Sequence, residues 1–285
     1  MDAPPSLPAF GDVSEARRLG GGAHGTTWLV TRCDGSQVVV KASEQVPVGL
    51  FLAEAEGLRA IASTGALDTP AVLHAGPRHL VLEALLPPPV DDETFWVEAG
   101  RGVAALHANS GPSHGWTQDN WLGMLPQRNT WCDDGHDFFV RHRILRFLEE
   151  PRAKRALGTA ATEGIERICS KFHELVPSMP PVLCHGDLWK GNFLSTHDGR
   201  PAAVDPAVTY TWAEVDISMM YCIESPTARF FDAYHEIHSP EPGWQERMEL
   251  LNLRELLSTL AHFGDHPTLI EGTLSQVHAI IATYA

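Results

Sequence analysis

The stretch Leu183-Cys184-His185-Gly186-Asp187-Leu188-Trp189-Lys190-Gly191-Asn192 sets a carboxylate and a carboxamide five positions apart. Catalytic loops that transfer phosphoryl groups have this spacing. Their Asp takes the proton of the attacking hydroxyl, and their Asn binds a metal ion. Thirteen residues after Asn192, a short apolar run ends in Val204-Asp205-Pro206 and offers a second metal ligand. Phosphoryl transfer asks little covalent chemistry of a protein; it asks for positioning and for neutralised charge. Asp187 as base with Asn192 and Asp205 as metal ligands meets that need, and Mg²⁺ prefers such oxygen donors. His185 is read as a brace for the loop. A His-x-Asp alone is a weak signal; with Asn and a later Asp at these intervals it becomes specific.

The upstream residues fall in a matching order. Lys41 ends the run Val38-Val39-Val40, and a strand lysine beside a glycine-rich turn reaches the phosphates of a bound nucleotide. Glu54, on the following helix, is its expected partner. The turn Gly20-Gly21-Gly22-Ala23-His24-Gly25 lets backbone N–H groups approach phosphate oxygens, with Gly21 and Gly22 as the candidate contacts. It is no Walker A motif. Leu82-Glu83-Ala84-Leu85-Leu86 stands where backbone would meet an adenine, so Glu83 and Leu85 join the nucleotide set. ATP and Mg²⁺ are the expected cofactors.

The elements that must hold these groups divide into two kinds. Residues 17 to 43 read as β structure, residues 49 to 63 as a helix, and two short strands follow at 71–73 and 80–82. Pro87-Pro88-Pro89 stops both helix and central strand, so a lobe boundary is placed there. Beyond it the periodicity is helical, at 94–108, at 137–149 and along the face Leu253, Leu256, Leu257, Leu260. The expectation is an α+β chain: residues 1–86 form a small β-rich nucleotide-binding lobe, and residues 87–285 a large, mainly helical lobe carrying catalysis and substrate binding.

Composition narrows the partners. The 285 residues carry 21 basic and 36 acidic side chains, a net charge of -15. Such a surface repels nucleic acid and anionic membrane. No apolar run approaches the ~20 residues needed to span a bilayer. Five widely spaced cysteines without a Cys-x-x-Cys give neither a disulfide framework nor a zinc site, which suits a reducing cytoplasm. A monomer or weak dimer is expected.

His185-Gly186-Asp187-Leu188-Trp189-x-Gly191-Asn192 resembles the HGDLWSGN signature of the fructosamine-3-kinase (ketosamine-3-kinase) family. Phe51-x-x-Glu54-Ala55, Pro126-Gln127-x-Asn129, Phe138-Phe139-x-x-Arg143, Asp205-Pro206-Ala207 and Glu214-x-Asp216 are similar to that family too, so the likeness runs from about Gly20 to Gly264. The resemblance implies a protein-kinase-like bilobal fold, shared with aminoglycoside phosphotransferases. It implies transfer of phosphate from ATP to the 3-hydroxyl of a ketosamine, after which the 3-phosphate eliminates and frees the amine. By the match, Asp187 is the base, Asn192 and Asp205 hold metal, and Lys41 contacts phosphate with Glu54 beside it. Lys190 departs from the pattern, which has Ser there; it either touches the γ-phosphate or points to solvent.

The acceptor is then a glycated amine, small or protein-bound. Sugars pack their C–H faces on aromatic rings, and amines are drawn to rings and carboxylates. Trp189 is the first candidate for the sugar wall, with a core anchor as the alternative. The loop 111–134 adds Trp116 together with Gln127 and Asn129, which either bond sugar hydroxyls or cap turns. Two other readings stay open: a kinase for an aminoglycoside or amino alcohol, and a silent binding module of the same fold.

Overall fold

The computed structural model describes residues 13–22, 25–90 and 92–285. Five antiparallel strands open the chain: β1 (Val13–Gly22), β2 (Gly25–Arg32), β3 (Gln37–Ala42), β4 (Val72–Gly76) and β5 (His79–Glu83), in spatial order β1-β2-β3-β5-β4. Strand alternation divides β3 between two environments. Val38 and Val40 join Trp28, Val30 and Val81 in a small apolar cluster on one face. Val39 and Lys41 point to the other face, where α1 (Leu50–Thr64) lays Phe51, Ala55 and Leu58 against Leu80 and Leu82.

The next helix, α2 (Glu93–His107), starts where Asp92 accepts hydrogen bonds from the backbone of Thr94 and Phe95 and so caps its first turn. Between β5 and α2 lie the three prolines. Leu86, just before them, is bonded in both directions to Ser195, at 2.8 Å each way, so the connection is tied to the second half of the chain. A hairpin, β6 (Asn120–Leu122) and β7 (Leu125–Gln127), follows.

The sequence pattern predicts one helix over 137–149. The structure has instead α3 (Gly135–Phe139), a π-helical stretch Val140–Leu145 and a single turn, α4 (Arg146–Leu148). In the wider turn Arg143 points inward, where it donates to the Arg128 carbonyl at 2.7 Å and to Asn129 Oδ1 at 2.6 Å. Helices α5 (Pro151–Ser170) and α6 (Phe172–Leu175) lead to two short pairings, β8 (Val182–Cys184) with β11 (Thr209–Thr211) and β9 (Phe193–Ser195) with β10 (Pro201–Ala203). Helices α7 (Ala213–Cys222), α8 (Ala228–Ile237), α9 (Met248–Phe263) and α10 (Pro267–Tyr284) complete the chain.

One large apolar core fills this helical part, and α9 runs through it with Leu253, Leu256, Leu257 and Leu260 all buried. The leucine face read from the sequence is thus the core face. Among the described residues, no helix is long and apolar enough to cross a membrane.

Candidate active site

The loop between β8 and β9 carries Asp187, and its backbone is held from behind. Asp216, wholly buried on α7, accepts from the His185 amide at 2.7 Å and the Gly186 amide at 2.9 Å, and His107 sits 3.2 Å from the same carboxylate. Burial opposes its ionisation, but these donors outweigh burial and hold its carboxyl below the usual range. Gly186 has φ +80°, and a Cβ there would stand 2.1 Å from the Ala207 carbonyl oxygen, so only glycine fits. The His185 ring faces the Val204 carbonyl at 3.0 Å through Nε2, and its Nδ1 accepts from the Asp187 amide at 3.3 Å. Asn192 donates through Nδ2 to the Asp187 carbonyl at 2.7 Å, which turns its Oδ1 away from the loop backbone.

Opposite, Lys41 and Glu54 form a buried pair at 2.5 Å, and the same ammonium meets the Asp205 carboxylate, 164 positions away in sequence. Burial alone would lower the Lys41 pKa; Asp205 and Glu54 outweigh it and raise it. Burial also pushes Glu54 up, with Lys41 pulling the other way. One ammonium is therefore shared by two carboxylates, and a third, Asp187, stands by. Hard oxygen donors with too little positive charge suit a divalent cation, so Asn192 and Asp205 fit Mg²⁺.

Two hollows meet at this cluster. The larger, of about 540 Å³, runs from Lys41 and Asp205 to the connection between lobes. Leu19, Leu29 and Val39 form its roof, Leu194 and Val204 its floor, and Glu83, Leu85 and Leu86 its back. The Glu83 carboxylate accepts from the Ala71 amide at 3.1 Å and its own amide donates to the Ala71 carbonyl at 2.9 Å, which fixes this residue at the hollow's end. Gly21 and Gly22 close β1, paired with Thr26 and Gly25; Ala23 and His24, the tip of that turn, lie outside the described residues. The smaller recess is lined by Ala53, Glu54, Trp121, Asp187, Asp205 and Pro206.

The acceptor side differs from the sequence expectation at several residues. Gln127 and Asn129 are buried, 2% and 1% exposed, and both are spent on structure. Gln127 donates to Asn120 Oδ1 at 2.9 Å, and Asn129 Oδ1 receives Arg143. Neither presents a group to a sugar. Trp116 donates to Glu56 of α1 at 2.9 Å, and Thr117 and Gln118 bond the same carboxylate, so this segment ties α1 to the lower lobe. The Trp189 ring folds back over Gly191. Lys190 is exposed, with its ammonium 5.8 Å from the centre of the Trp96 ring.

Three residues at the site lie outside the sequence-derived set. Trp121 is the tryptophan of its loop that reaches the recess; nothing in a loop of three tryptophans singled it out. Arg254 and Glu255 sit on α9, in a leucine-rich run where a charged pair was the available signal. Arg254, 2% exposed, donates to the Gly186 carbonyl and to Gln127 Oε1, each at 2.8 Å, and pairs with Glu255. Burial first, then the charges of Glu255 and Asp205, push Asp187 up to about 8 against the pull of Arg254 and Asn192.

Comparisons with known proteins agree with this geometry. The profile of the Fructosamine kinase family matches residues 8–280. A "Probable ketoamine kinase" of Synechocystis sp. is 35% identical over 260 residues, covering 88% of this chain and 86% of its own. A chloroplastic protein-ribulosamine 3-kinase of Oryza sativa subsp. indica is 30% identical over 262 residues, 88% of this chain and 75% of its own. Among solved structures, a provisionally named fructosamine-3-kinase of Thermobifida fusca superposes with a TM-score of 0.83 at 29% identity, covering 94% of both chains. The choline kinase of Streptococcus pneumoniae, at 12% identity and a TM-score of 0.65, shares the fold, covering 96% of this chain and 95% of its own.

Proposed function

The chain belongs to the fructosamine kinase family and is a phosphotransferase with an alcohol group as acceptor; on that premise we propose that it phosphorylates the 3-hydroxyl of ketosamines of the ribulosamine, erythrulosamine or fructosamine type. The observation that carries the reading is the meeting of Lys41, Glu54, Asp205 and Asp187 where an apolar slot joins a smaller recess. The slot takes the adenine of ATP between Val39 above and Leu194 and Val204 below, and Glu83 to Leu85 supply backbone at its end. Lys41, released from Asp205 as phosphate arrives, binds the phosphates and stays oriented by Glu54. Asn192 and Asp205 would hold Mg²⁺, which when bound neutralises charge on the transferred group.

Asp187 accepts the proton of the acceptor hydroxyl as that oxygen bonds to the γ-phosphorus and the bond to the β-phosphate oxygen breaks, giving the 3-phosphate and ADP. A raised proton affinity suits this acceptor; burial first and the Glu255 charge next raise it, and Arg254 opposes them. The product then eliminates phosphate and frees the amine, so the net result is deglycation. Trp121, which lines the recess, is the aromatic ring available to flank the sugar.

The test is ADP release with ribulose-, erythrulose- and fructose-derived lysines, with and without Mg²⁺. Metal-dependent turnover on at least one ketosamine is expected. Turnover on an aminoglycoside or an amino alcohol, with none on any ketosamine, would replace this substrate class by the other.

A further inference from the structure

One wall of the recess hangs on a short hairpin. Strands β6 and β7 pair Asn120 with Gln127, Trp121 with Pro126 and Leu122 with Leu125, and Gly123 and Met124 make the turn. Trp121 and Gly123 line the recess. The base of the hairpin is well pinned. Asn120 donates to the Val208 carbonyl at 2.8 Å, Gln127 to the Ala207 carbonyl at 3.3 Å, and the Pro126 carbonyl accepts from Arg146 at 2.7 Å. Its tip meets an imidazole. His262, in the last turn of α9, accepts the Met124 amide through Nε2 at 3.1 Å. The ring lies against the turn so closely that a Cβ on Gly123 would stand 2.4 Å from the same nitrogen. Trp121 and Met124 also pack against the cluster of Leu50 and Phe51 on α1.

The two partners fix the proton on this ring. Nδ1 lies 2.8 Å from the Ser258 carbonyl, which can only accept, so Nδ1 carries the hydrogen. Nε2 faces a backbone N–H, which can only donate, so Nε2 is bare. Neutral imidazole alone satisfies both. We infer that His262 is a positioning residue for the acceptor: its uncharged ring holds the hairpin tip, and with it Trp121, at the recess. The inference rests on the reading of that recess as the acceptor's place. A second proton goes to Nε2 and sets two donors face to face, so protonation releases the tip. The charged groups around the ring are Arg146 and Glu150, which pair at 3.2 Å, and Arg152, which donates to the His262 carbonyl at 3.0 Å and to Asp265 at 2.7 Å. The hairpin itself, residues 120–127, has no ionisable side chain. Burial, with Arg146 and Arg152, keeps the His262 pKa below its ordinary value against the Ser258 carbonyl and Glu150. The tip is therefore held at neutral pH and let go in acid.

The experiment measures KM for a ribulosamine of Nα-protected lysine, and KM for ATP, at about pH 7.5 and about pH 5, on either side of the ordinary histidine pKa. Wild type is compared with His262→Gln, whose carbonyl oxygen can take the Met124 amide and does not titrate. The rise in acceptor KM on acidification is expected to be about fivefold larger in wild type than in His262→Gln, the weight of one hydrogen bond. KM for ATP moves alike in both proteins. Titration of Asp187 and of the substrate is common to the two and cancels in the comparison. At the upper pH His262→Gln stays near wild type, whereas His262→Leu, which offers the amide no acceptor, already shows the raised acceptor KM; it carries the test if the Gln variant fails to fold. Equal rises in wild type and His262→Gln, or an unraised acceptor KM in His262→Leu, overturn the assignment and leave the ketosamine reading standing. Absence of wild-type turnover on any ketosamine overturns both.

Discussion

The two walls of the cleft are built on different principles. The upper wall is a sheet over a small cluster, and its outer strand β1 is largely exposed. Its link to the chemistry is one ammonium, Lys41, shared by Glu54 and Asp205. The lower wall is over-determined. Asp216 holds two successive amides of the catalytic loop, His185 ties it to Val204, Arg254 holds a carbonyl, and Gly186 fits where no other residue does. On the proposed roles, the loop that carries the base is fixed before substrate arrives, whereas Lys41 must exchange the Asp205 carboxylate for a phosphate.

The sharpest way to break this contrast is at the base. Asp187→Ala should lower turnover by about a thousandfold while ATP binding by calorimetry stays near normal; turnover within tenfold of wild type would remove Asp187 from the chemistry. Next is the lower wall's rigidity. Gly186→Ala should lower stability by about 3 kcal/mol or more and take activity with it, because the Ala207 carbonyl is backbone and cannot step aside. An unshifted denaturant midpoint would show that the wall yields. At the upper wall, Lys41→Met should raise KM for ATP about tenfold or more, with a smaller loss of stability, since the Glu54 it strands is already raised by burial and can take up a proton. A variant that unfolds outright would mean that the upper wall depends on its charges no less than the lower.

The smallest effect is a pH dependence. Burial holds the pKa of His185 below its ordinary value. The folded form thus binds fewer protons than the unfolded one. The stability due to neutral His185 is complete above about pH 6.5, the unfolded value, and is lost as pH falls towards the folded one. The melting temperature should decline from pH 7 to pH 5, and His185→Asn should flatten part of that decline. The same slope in the variant would move the effect to other histidines.

The sequence was most informative where chemistry is local. Asp187, Asn192 and Asp205 stand at fixed intervals around tight turns, so spacing nearly determines geometry. Lys41 and Glu54 could be paired because a strand and the next helix leave few arrangements. Polar residues in the loop 111–134 were harder. Gln127 and Asn129 look like sugar contacts, yet one bonds Asn120 and the other Arg143, and only tertiary packing decides which way an amide points. Arg143 itself turns inward in a π-helical stretch that apolar periodicity does not reveal. Arg254 and Glu255 were concealed by the leucines on either side, whose pattern announces a core face and nothing about a cleft.

The Glu56 carboxylate on α1 receives Trp116, Thr117 and Gln118 together. Rotating that helix outward, a common means of silencing bilobal kinases, would break three hydrogen bonds at once, a penalty on the order of a few kcal/mol. The helix that carries Glu54 is thereby held where that carboxylate meets Lys41. Access to the site is then left to the acceptor and the nucleotide rather than to the position of α1.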